Sequence, residues 1–363
     1  MASTAGDLHW TLGDLERRAE AALPPEVWAY VSGGASEERA LRGNRDAFHR
    51  RTLRPRRLTD VTSIDTTTTI LDVPVAAPFF VSPVARQGLV HPEAELAVAR
   101  AAAERHLLSV YSTLSTRSLE EIASASGNGP RWFQLYLQPE FSTSRELVER
   151  AERAGYTALV LTVDLPILAP RDRWEQSGGL LEADAPVGNG PNVRAPARRP
   201  AGELGRYRLR AETAATWTIL DDLQSITRLP VIVKGLLTGD DARRALTHGA
   251  RAVIVSNHGG RQLDAAEAAL DALPEVIRSV GTELEVYFDS GVRRGGDILT
   301  ALAMGARAVG LGRPVLWALG VDGEAGVGRL FDLLGSELAT EMALLGRRRI
   351  SEIDRSLLGS PRW

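Results

Sequence analysis

Residues 231–260 read VIVKGLLTGDDARRALTHGARAVIVSNHGG, and this stretch is the most informative one about the fold. Two short β-branched runs, at 231–234 and 252–256, lie on either side of a segment, 240–248, whose apolar residues recur at helical spacing. A strand, a helix and a second strand within about 30 residues are typical of a βαβ unit with parallel strands. The two runs are almost wholly apolar, which indicates strands that are buried on both faces.

The same alternation repeats along the chain from about residue 70 onward. Amphipathic helical segments at 93–105, 142–154 and 295–304 separate further apolar runs. Eight strands, each followed by a helix, predict an α/β protein with a (β/α)8 TIM barrel. A doubly wound sheet is the alternative, but no Gly-x-Gly-x-x-Gly pattern follows the first strand. The predicted strands are 77–82, 107–111, 132–137, 158–163, 231–234, 252–256, 285–289 and 308–311.

Two segments do not fit the barrel pattern. Residues 1–60 are predicted to form an N-terminal helical extension packed on a barrel domain at 61–363. Residues 173–210 are rich in glycine and proline and too long for an ordinary connection between a strand and a helix. Because this segment follows the fourth strand, it lies at the C-terminal face of the barrel, and we expect a lid rather than a linker.

Composition excludes several classes of function. Cysteine is absent, which rules out disulfides, thiolate metal sites, iron–sulfur clusters and cysteine nucleophiles, and we assign no metal ligands. The 43 basic and 46 acidic residues are spread along the chain, so we expect no binding to nucleic acid or to an anionic membrane. Residues 71–85, the most apolar stretch, contain three prolines and are too short to span a membrane. We therefore expect a cytoplasmic protein whose redox chemistry, if it has any, needs a bound cofactor.

Chemically useful side chains follow the predicted strands, at the barrel face where active sites of this fold lie. Lys234, the only lysine in the chain, ends the fifth strand. Its position there favours a chemical role over a lysine retained by chance. His258 follows the sixth strand, with two glycines that permit close approach and with Arg261 as a possible anion clamp. Asp164, after the fourth strand, is the carboxylate that would orient the imidazole.

The glycine-rich segments after the last two strands predict a phosphate site. Both segments, 289–296 and 310–313, precede helices and carry an arginine, Arg293 and Arg313 respectively. Backbone N–H groups and the positive end of a helix dipole bind phosphate at such positions. A bound phosphorylated cofactor would fit both this pattern and the lack of cysteine. Two other functions fit the same residues: a Schiff-base aldolase that uses Lys234, and a non-catalytic barrel that binds a phosphate-bearing ligand.

The motifs taken together resemble a known family, the FMN-dependent 2-hydroxy acid oxidases and dehydrogenases, which include glycolate oxidase, lactate oxidase and mandelate dehydrogenase. The chain also resembles p-hydroxymandelate oxidases. The resemblance extends over nearly the whole chain. It is carried by Ala29-Tyr30, SPVA at 82–85, HPE at 91–93, WFQLY at 132–136, LTVD at 161–164, VKG at 233–235, SNHGGRQLD at 256–264, DSGVRRG at 289–295 and GRP at 312–314.

The resemblance implies a role for each matching residue. His258 would take a proton from the substrate, from C2 in a carbanion process or from the hydroxyl in a hydride process. Tyr30, Arg171 and Arg261 would hold the substrate carboxylate, Tyr136 would hydrogen-bond the substrate oxygen, and Lys234 would lie beside the flavin N1/O2 edge. The implied FMN-binding residues are Pro83, Val84, Ala85, Ser112, Gln134, Thr162, Lys234, Ser256, Asp289, Gly291, Arg293, Gly312 and Arg313.

Three departures from the family pattern concern the substrate clamp and the flavin-binding segments. Ala169-Pro170 stand where a glycine and an arginine are common, and proline can redirect Arg171 because it fixes φ. Val84 replaces a threonine of glycolate oxidase. Ser290 replaces the first glycine of the usual Asp-Gly-Gly, and serine should be tolerated there if its φ is negative.

Leu114 replaces a tryptophan that crowds the site of glycolate oxidase. The substrates expected from this larger pocket are bulky or aromatic (S)-2-hydroxy acids of the mandelate or 4-hydroxymandelate type. The resemblance further implies O2 or another electron acceptor, and a homotetramer.

Overall fold

The computed structural model describes residues 11–178, 187–194 and 215–359, and its central element is a closed barrel of eight parallel strands. The strands follow one another around the barrel in chain order, and the last pairs with the first. The predicted (β/α)8 TIM barrel is therefore confirmed. An antiparallel hairpin, β1 and β2, precedes it. The strands are β1 (Thr68–Ile70), β2 (Val73–Val75), β3 (Phe79–Val81), β4 (Ser109–Ser112), β5 (Arg131–Leu135), β6 (Leu159–Thr162), β7 (Val231–Leu236), β8 (Ala252–Val255), β9 (Glu285–Phe288) and β10 (Val309–Leu311).

Helices connect the strands and cover the outside of the barrel. The four helices predicted within the barrel are present, with ends that lie within two residues of the predicted ones. None of the described helices is long and apolar enough to cross a membrane. The helices are α1 (Leu12–Ala22), α2 (Pro25–Ser32), α3 (Arg39–His49), α4 (Glu95–Glu104), α5 (Leu119–Ser126), α6 (Phe141–Arg153), α7 (Asp172–Gln176), α8 (Ile219–Ile226), α9 (Gly239–Thr247), α10 (Ala269–Val280), α11 (Gly295–Ala303) and α12 (Arg313–Leu345).

Helix α5 illustrates how local sequence sets these elements. Ser118 and Glu121 form a capping box: the Ser118 hydroxyl accepts from the Glu121 N–H, and the Glu121 carboxylate accepts from the Ser118 N–H. Leu119, Ile122 and Ala123 then recur at helical spacing and are buried against the barrel. The cap fixes where the helix begins, and the apolar stripe fixes which face it turns inward.

The interior of the barrel has an apolar layer near the N-terminal ends of the strands. Phe80, Trp132 and Tyr287 pack their rings together there, with centroids 5.7–6.5 Å apart. Ile70 and Val75 of the hairpin join the same cluster, so the hairpin closes this end of the barrel. The other members of the layer are Leu108, Val110, Ala158, Val160, Ile232, Ala252, Ile254 and Ala308.

A polar layer lies above the apolar one, toward the C-terminal ends of the strands. Side chains of a strand alternate between its two faces, so a residue two positions after an interior residue is again interior. Every strand of the barrel except β10, where Gly310 follows Ala308, delivers a buried polar side chain in this way. These side chains belong to Ser82, Ser112, Gln134, Thr162, Lys234, Ser256 and Asp289.

The N-terminal segment packs against this polar end of the barrel through α3. The side-chain amides of Asn44 in α3 and Asn257 after β8 exchange two hydrogen bonds, of 2.8 and 2.9 Å, and both residues are buried. Asn44 Oδ1 also accepts from the N–H of Ala269, where α10 begins. The division into an extension at 1–60 and a barrel domain at 61–363 stays a prediction. Of the predicted lid, residues 179–186 and 195–210 lie outside the described residues.

We predict that Asn44→Ala lowers the free energy of unfolding by about 1–3 kcal/mol, because the buried amide of Asn257 loses both of its bonds to Asn44. Urea unfolding followed by circular dichroism measures the change. Arg39→Ala, which removes an exposed side chain from the same helix, is the control and should leave the unfolding midpoint unchanged. Equal midpoints for Asn44→Ala and the wild type would contradict the role of this amide pair.

Candidate active site

The polar layer opens into a cavity at the C-terminal ends of the strands, with about 1070 Å³ of empty space including its mouth. Most of the residues singled out from the sequence line it. They are Tyr30, Pro83, Val84, Ala85, Leu114, Tyr136, Arg171, Lys234, His258, Arg261, Asp289, Gly291, Arg293, Gly312 and Arg313.

His258 follows β8 in the left-handed region, with φ of 56°, and Gly259 and Gly260 continue in positive φ. Its N–H donates to Ser256 Oγ (3.0 Å), and its Nδ1 lies 2.9 Å from Asp164 Oδ1. Because the carboxylate accepts a hydrogen bond from Nδ1–H, the other ring nitrogen, Nε2, carries no proton and can accept one. Burial lowers the pKa of His258, although Asp164 opposes the change. The imidazole is therefore neutral near pH 7 and able to act as a base.

Asp164 reaches His258 because a glycine stands opposite it on the next strand. Gly235 has φ of 109°, and a Cβ at this position would come within 2.6 Å of the Asp164 Cβ. The glycine after Lys234 thus serves both the backbone conformation and the close approach of the carboxylate. Burial alone would raise the pKa of Asp164, but His258 and Lys234 hold it below its ordinary value. Asp164 is consequently an anion.

Lys234 extends from β7 into the polar layer and is 3% exposed. Its Nζ donates to Ser256 Oγ (3.0 Å) and lies 3.4 Å from Asp289 Oδ2. Burial lowers its pKa, but Asp289 and Asp164 outweigh burial and raise the pKa above its ordinary value. Lys234 is thus a fixed cation, whereas a Schiff-base lysine needs a neutral amine.

A second group of cations lies where the N-terminal segment meets the cavity. The guanidinium groups of Arg261 and Arg171 lie 5.0 and 6.0 Å from the centre of the Tyr30 ring. Arg261 NH1 also donates to the carbonyl of Tyr30 (2.6 Å). Arg171 is buried in the cavity wall, so the preceding Pro170 does not turn it away, and the Pro170 carbonyl accepts from the N–H of Ser36 (2.9 Å).

Tyr136 completes this side of the cavity. Burial and, to a lesser extent, the charge of Asp164 raise the pKa of its phenol far above the ordinary value. Its hydroxyl therefore keeps its proton and is available as a hydrogen-bond donor.

The two arginines of the predicted phosphate site are also in the wall. Burial, with a smaller contribution from Arg45, lowers the pKa of Arg293 to about 10, and its guanidinium lies 4.7 Å from the centre of the Trp317 ring. Burial and the neighbouring arginines hold the pKa of Arg313 well below its ordinary range. Concentrated, partly buried cations of this kind are stabilised by an anionic ligand.

Five predicted residues, all from the barrel interior, do not line the cavity itself. Among the described residues, both amide atoms of Gln134 and the hydroxyl of Thr162 are buried with no hydrogen-bond partner. Orphaned polar atoms of this kind are uncommon in a folded protein and fit the polar edge of a flavin ring. Ser112 Oγ, in contrast, accepts from the N–H of Leu114 (3.1 Å). The five residues are Ser112, Gln134, Asp164, Thr162 and Ser256.

Some residues of the cavity wall are not in the sequence-based set. Arg86, Val292 and Gly310 adjoin the motifs that follow strands, so the sequence could have identified them. Leu165 and Leu168 belong to an apolar pattern after Asp164, so they too could have been predicted from the sequence. Val31 and Leu316 lie in α2 and α12, and only the packing of these helices brings them here. The remaining members of this group are Ser82, Gly259 and Ser290.

The condition stated for Ser290, a negative φ, is not met in the structure. The φ of Ser290 is 89°, in the left-handed region. A non-glycine residue in such a conformation costs about 1–3 kcal/mol unless its surroundings compensate. The Ser290 hydroxyl has three hydrogen-bond partners, which is the compensation that the sequence did not reveal.

Comparison with known proteins identifies the chain. A family model described as FMN-dependent dehydrogenase matches residues 19–360. The chain belongs to the FMN-dependent dehydrogenase family. An L-lactate oxidase from Nostoc sp. is 46% identical over 359 residues, which cover 96% of this chain and 97% of that protein. A 4-hydroxymandelate oxidase from Amycolatopsis orientalis is 43% identical over 338 residues, 93% of this chain and 94% of that protein.

Solved structures agree with this assignment. A mandelate oxidase with benzoyl-formic acid has a TM-score of 0.87 and 41% identity, and the match covers 97% of this chain and 98% of that one. As an FMN-dependent dehydrogenase the protein is an oxidoreductase with FMN as its cofactor, and both predictions are confirmed. The Schiff-base aldolase and the non-catalytic barrel are thereby excluded as functions.

We predict that Arg313→Met weakens FMN binding by about 10- to 100-fold, because a charge-assisted hydrogen bond contributes about 1.5–3 kcal/mol. Titration of the apoprotein with FMN, followed by flavin fluorescence, gives the dissociation constant. Arg243→Met is the control: Arg243 lies on α9, where it pairs with Glu283 at the surface, and its removal should not affect FMN. Unchanged affinity in Arg313→Met would contradict a phosphate site here.

Proposed function

We propose that this enzyme oxidises bulky or aromatic (S)-2-hydroxy acids, of the mandelate or 4-hydroxymandelate type, to 2-keto acids and passes the electrons to O2. One observation carries the proposal. A neutral, carboxylate-oriented imidazole, His258, lines the same cavity as the cations Arg171 and Arg261, and the wall also contains the apolar side chains of Leu114 and Leu168. A base, an anion clamp and an apolar wall are what an apolar 2-hydroxy carboxylate requires.

In the proposed reaction His258 holds a proton that leaves the substrate when the C2–OH group becomes C2=O. A carbanion process delivers the C2 proton to Nε2, and a hydride process delivers the hydroxyl proton to the same atom. Asp164, held as an anion at 2.9 Å, stabilises the imidazolium formed in either case. The two processes thus place the same demand on His258 and Asp164.

Arg171, Arg261 and Tyr30 bind the substrate carboxylate in this proposal. The two guanidinium groups lie over the same Tyr30 ring, so one carboxylate can approach both. Tyr136 keeps its proton and donates a hydrogen bond to the substrate oxygen at C2. These contacts orient the C2 substituents relative to His258.

FMN, when bound, supplies the acceptor for the two electrons. We propose that Gln134 and Thr162 satisfy their orphaned atoms on its ring, where Ser112 and Ser256 would also lie, with the Pro83 to Ala85 backbone, including Val84, packed against the ring. Lys234 places a permanent positive charge in the same layer, where it stabilises negative charge that develops on the ring. The proposed ribityl and phosphate contacts are Asp289, Gly291, Arg293, Gly312 and Arg313.

The preference for a bulky side chain rests on three leucines. Leu114, Leu165 and Leu168 all line the cavity, and a buried phenyl ring contributes roughly 1.5–3 kcal/mol relative to an exposed one. The similarity to proteins named 4-hydroxymandelate oxidase and mandelate oxidase supports the same substrate class. The similarity to a protein named L-lactate oxidase supports a smaller substrate. The apolar side chains of the pocket support the larger class.

The relatives that are called oxidases support O2 as the electron acceptor. We also propose a homotetramer that works in the cytoplasm and binds neither nucleic acid nor membranes. The tetramer rests on the family resemblance, and the lack of interaction with polyanions rests on the near balance of charges, with a net charge of -3.

The proposed function predicts that His258→Asn keeps bound FMN but slows its reduction by mandelate by about 10²- to 10⁴-fold, the usual contribution of a positioned base. Anaerobic stopped-flow absorbance of the flavin measures the rate. His248→Asn is a matched control, because His248 pairs with Asp221 at 3.0 Å outside the cavity. Loss of the flavin together with the rate would show that His258 is structural.

Leu114→Trp should lower kcat/KM for mandelate by about tenfold to a hundredfold while it changes lactate turnover much less, since the indole fills the space of the phenyl ring. Steady-state peroxide production with both substrates measures the selectivity, and the flavin spectrum checks that the cofactor remains bound. The wild-type enzyme should prefer mandelate to glycolate. Equal efficiency with these two substrates would refute the pocket argument but leave the flavin assignment intact.

A further inference from the structure

Ser290 occupies an unusual position between two functional parts of the cavity. It is 6% exposed, and its φ of 89° is followed by 92° at Gly291, so the chain turns through two left-handed residues after β9. A glycine would adopt this conformation without strain. A serine is strained in this conformation, so contacts of its side chain must offset the strain.

The Ser290 hydroxyl makes three hydrogen bonds, which is the full capacity of a hydroxyl group. It donates to Asp289 Oδ1 at 3.0 Å. It accepts from the N–H of Gly259 at 3.0 Å and from the N–H of Asn257 at 3.4 Å. One small side chain thus links the end of β9 to the loop after β8.

The groups on the two sides of this link belong to different parts of the proposed chemistry. Asp289 Oδ2 lies 3.4 Å from Lys234 Nζ and accepts from Ser82 Oγ at 3.2 Å, so Asp289 helps to hold the buried cation. Asn257 and Gly259 are the chain neighbours of His258 on either side. The hydroxyl therefore connects the backbone that carries the base to the carboxylate that pairs with the lysine.

We propose that Ser290 is a positioning residue whose hydroxyl fixes the His258 loop relative to the Asp289–Lys234 pair. The kinetic part of this inference rests on the proposed function. Without the hydroxyl, the N–H of Gly259 loses its partner and the loop, which has positive φ from His258 to Gly260, is held less firmly. The imidazole then deviates from the reactive geometry, although neither Arg171 nor Arg261 has lost a contact.

Two substitutions separate the hydroxyl from the β-carbon. Ser290→Ala removes the hydroxyl and keeps the strained φ, whereas Ser290→Gly removes both the hydroxyl and the strain. Ser126→Ala is the control, because it deletes another buried hydroxyl, one that donates to the Ile122 carbonyl in α5, outside the cavity wall. Each variant is studied as the FMN-loaded enzyme by hydrogen exchange of the peptide covering 254–262, by thermal unfolding and by stopped-flow reduction with mandelate.

We expect both Ser290 variants to exchange faster in 254–262 and to show flavin reduction about 10- to 100-fold slower, as for a small misplacement of a reacting group. KM should change little because the carboxylate clamp is intact. The Tm of Ser290→Gly should exceed that of Ser290→Ala, so that rate follows the hydroxyl and stability follows the β-carbon. Ser126→Ala should match the wild type in exchange and rate.

Two results would overturn the inference. One is wild-type exchange at 254–262 in both variants, and the other is a wild-type rate in Ser290→Gly with a slow rate only in Ser290→Ala, which would assign the effect to strain. Failure of the proposed function is a separate result: the wild-type flavin would then not be reduced by any 2-hydroxy acid. In that case hydrogen exchange would still decide whether the hydroxyl holds the loop.

Discussion

Side chains on each short parallel strand alternate between the packed interior of the barrel and the surrounding helices, and the site depends on this alternation. Phe80, Trp132 and Tyr287 fill the lower interior, and the residues two positions later, Ser82, Gln134 and Asp289, are consequently interior as well. Polar side chains are thus concentrated at one end of a closed barrel whose other end is filled by rings and a hairpin. A shift of β5 by one residue, for example, would exchange its interior Gln134 for Phe133 or Leu135.

Opposite charges lie next to one another in the polar layer. Asp164 lies against His258, Lys234 is raised in pKa by Asp289 and Asp164, and Ser256 Oγ accepts from both Lys234 Nζ and the N–H of His258. Buried charges are tolerated when each has an opposite partner and hydrogen bonds. The same environment therefore holds two groups in different protonation states: the imidazole of His258 is neutral and the amine of Lys234 is permanently charged.

The N-terminal segment contributes to the site as much as the barrel does. Arg313 NH2 donates to the carbonyl of Gly33 (2.8 Å), and Arg261 NH1 donates to the same carbonyl (3.1 Å). The Tyr30 ring lies near the guanidinium groups of Arg261 and Arg171. These arginines lie near one another in partly buried positions, which is unfavourable without an anion. Cofactor and substrate, both anionic, therefore relieve a repulsion that the apoprotein retains. We infer that their binding stabilises the contact between the segment and the barrel.

The sequence by itself determined the barrel, all eight of its strands and most of the cavity wall, because buried parallel strands have a local apolar pattern and because active residues of this fold follow strand ends. It also singled out His258, Lys234 and the two arginines of the predicted phosphate site by residue type and position, and all four line the cavity. Tertiary structure decided what depends on neighbours distant in sequence. The approach of Asp164 to His258 across Gly235, the place of Arg171 after Pro170, the inward faces of α2 and α12, and the positive φ of Ser290 with its compensating hydroxyl are all of this kind. Each is set by packing between segments that lie tens to hundreds of residues apart, and no local pattern records such contacts.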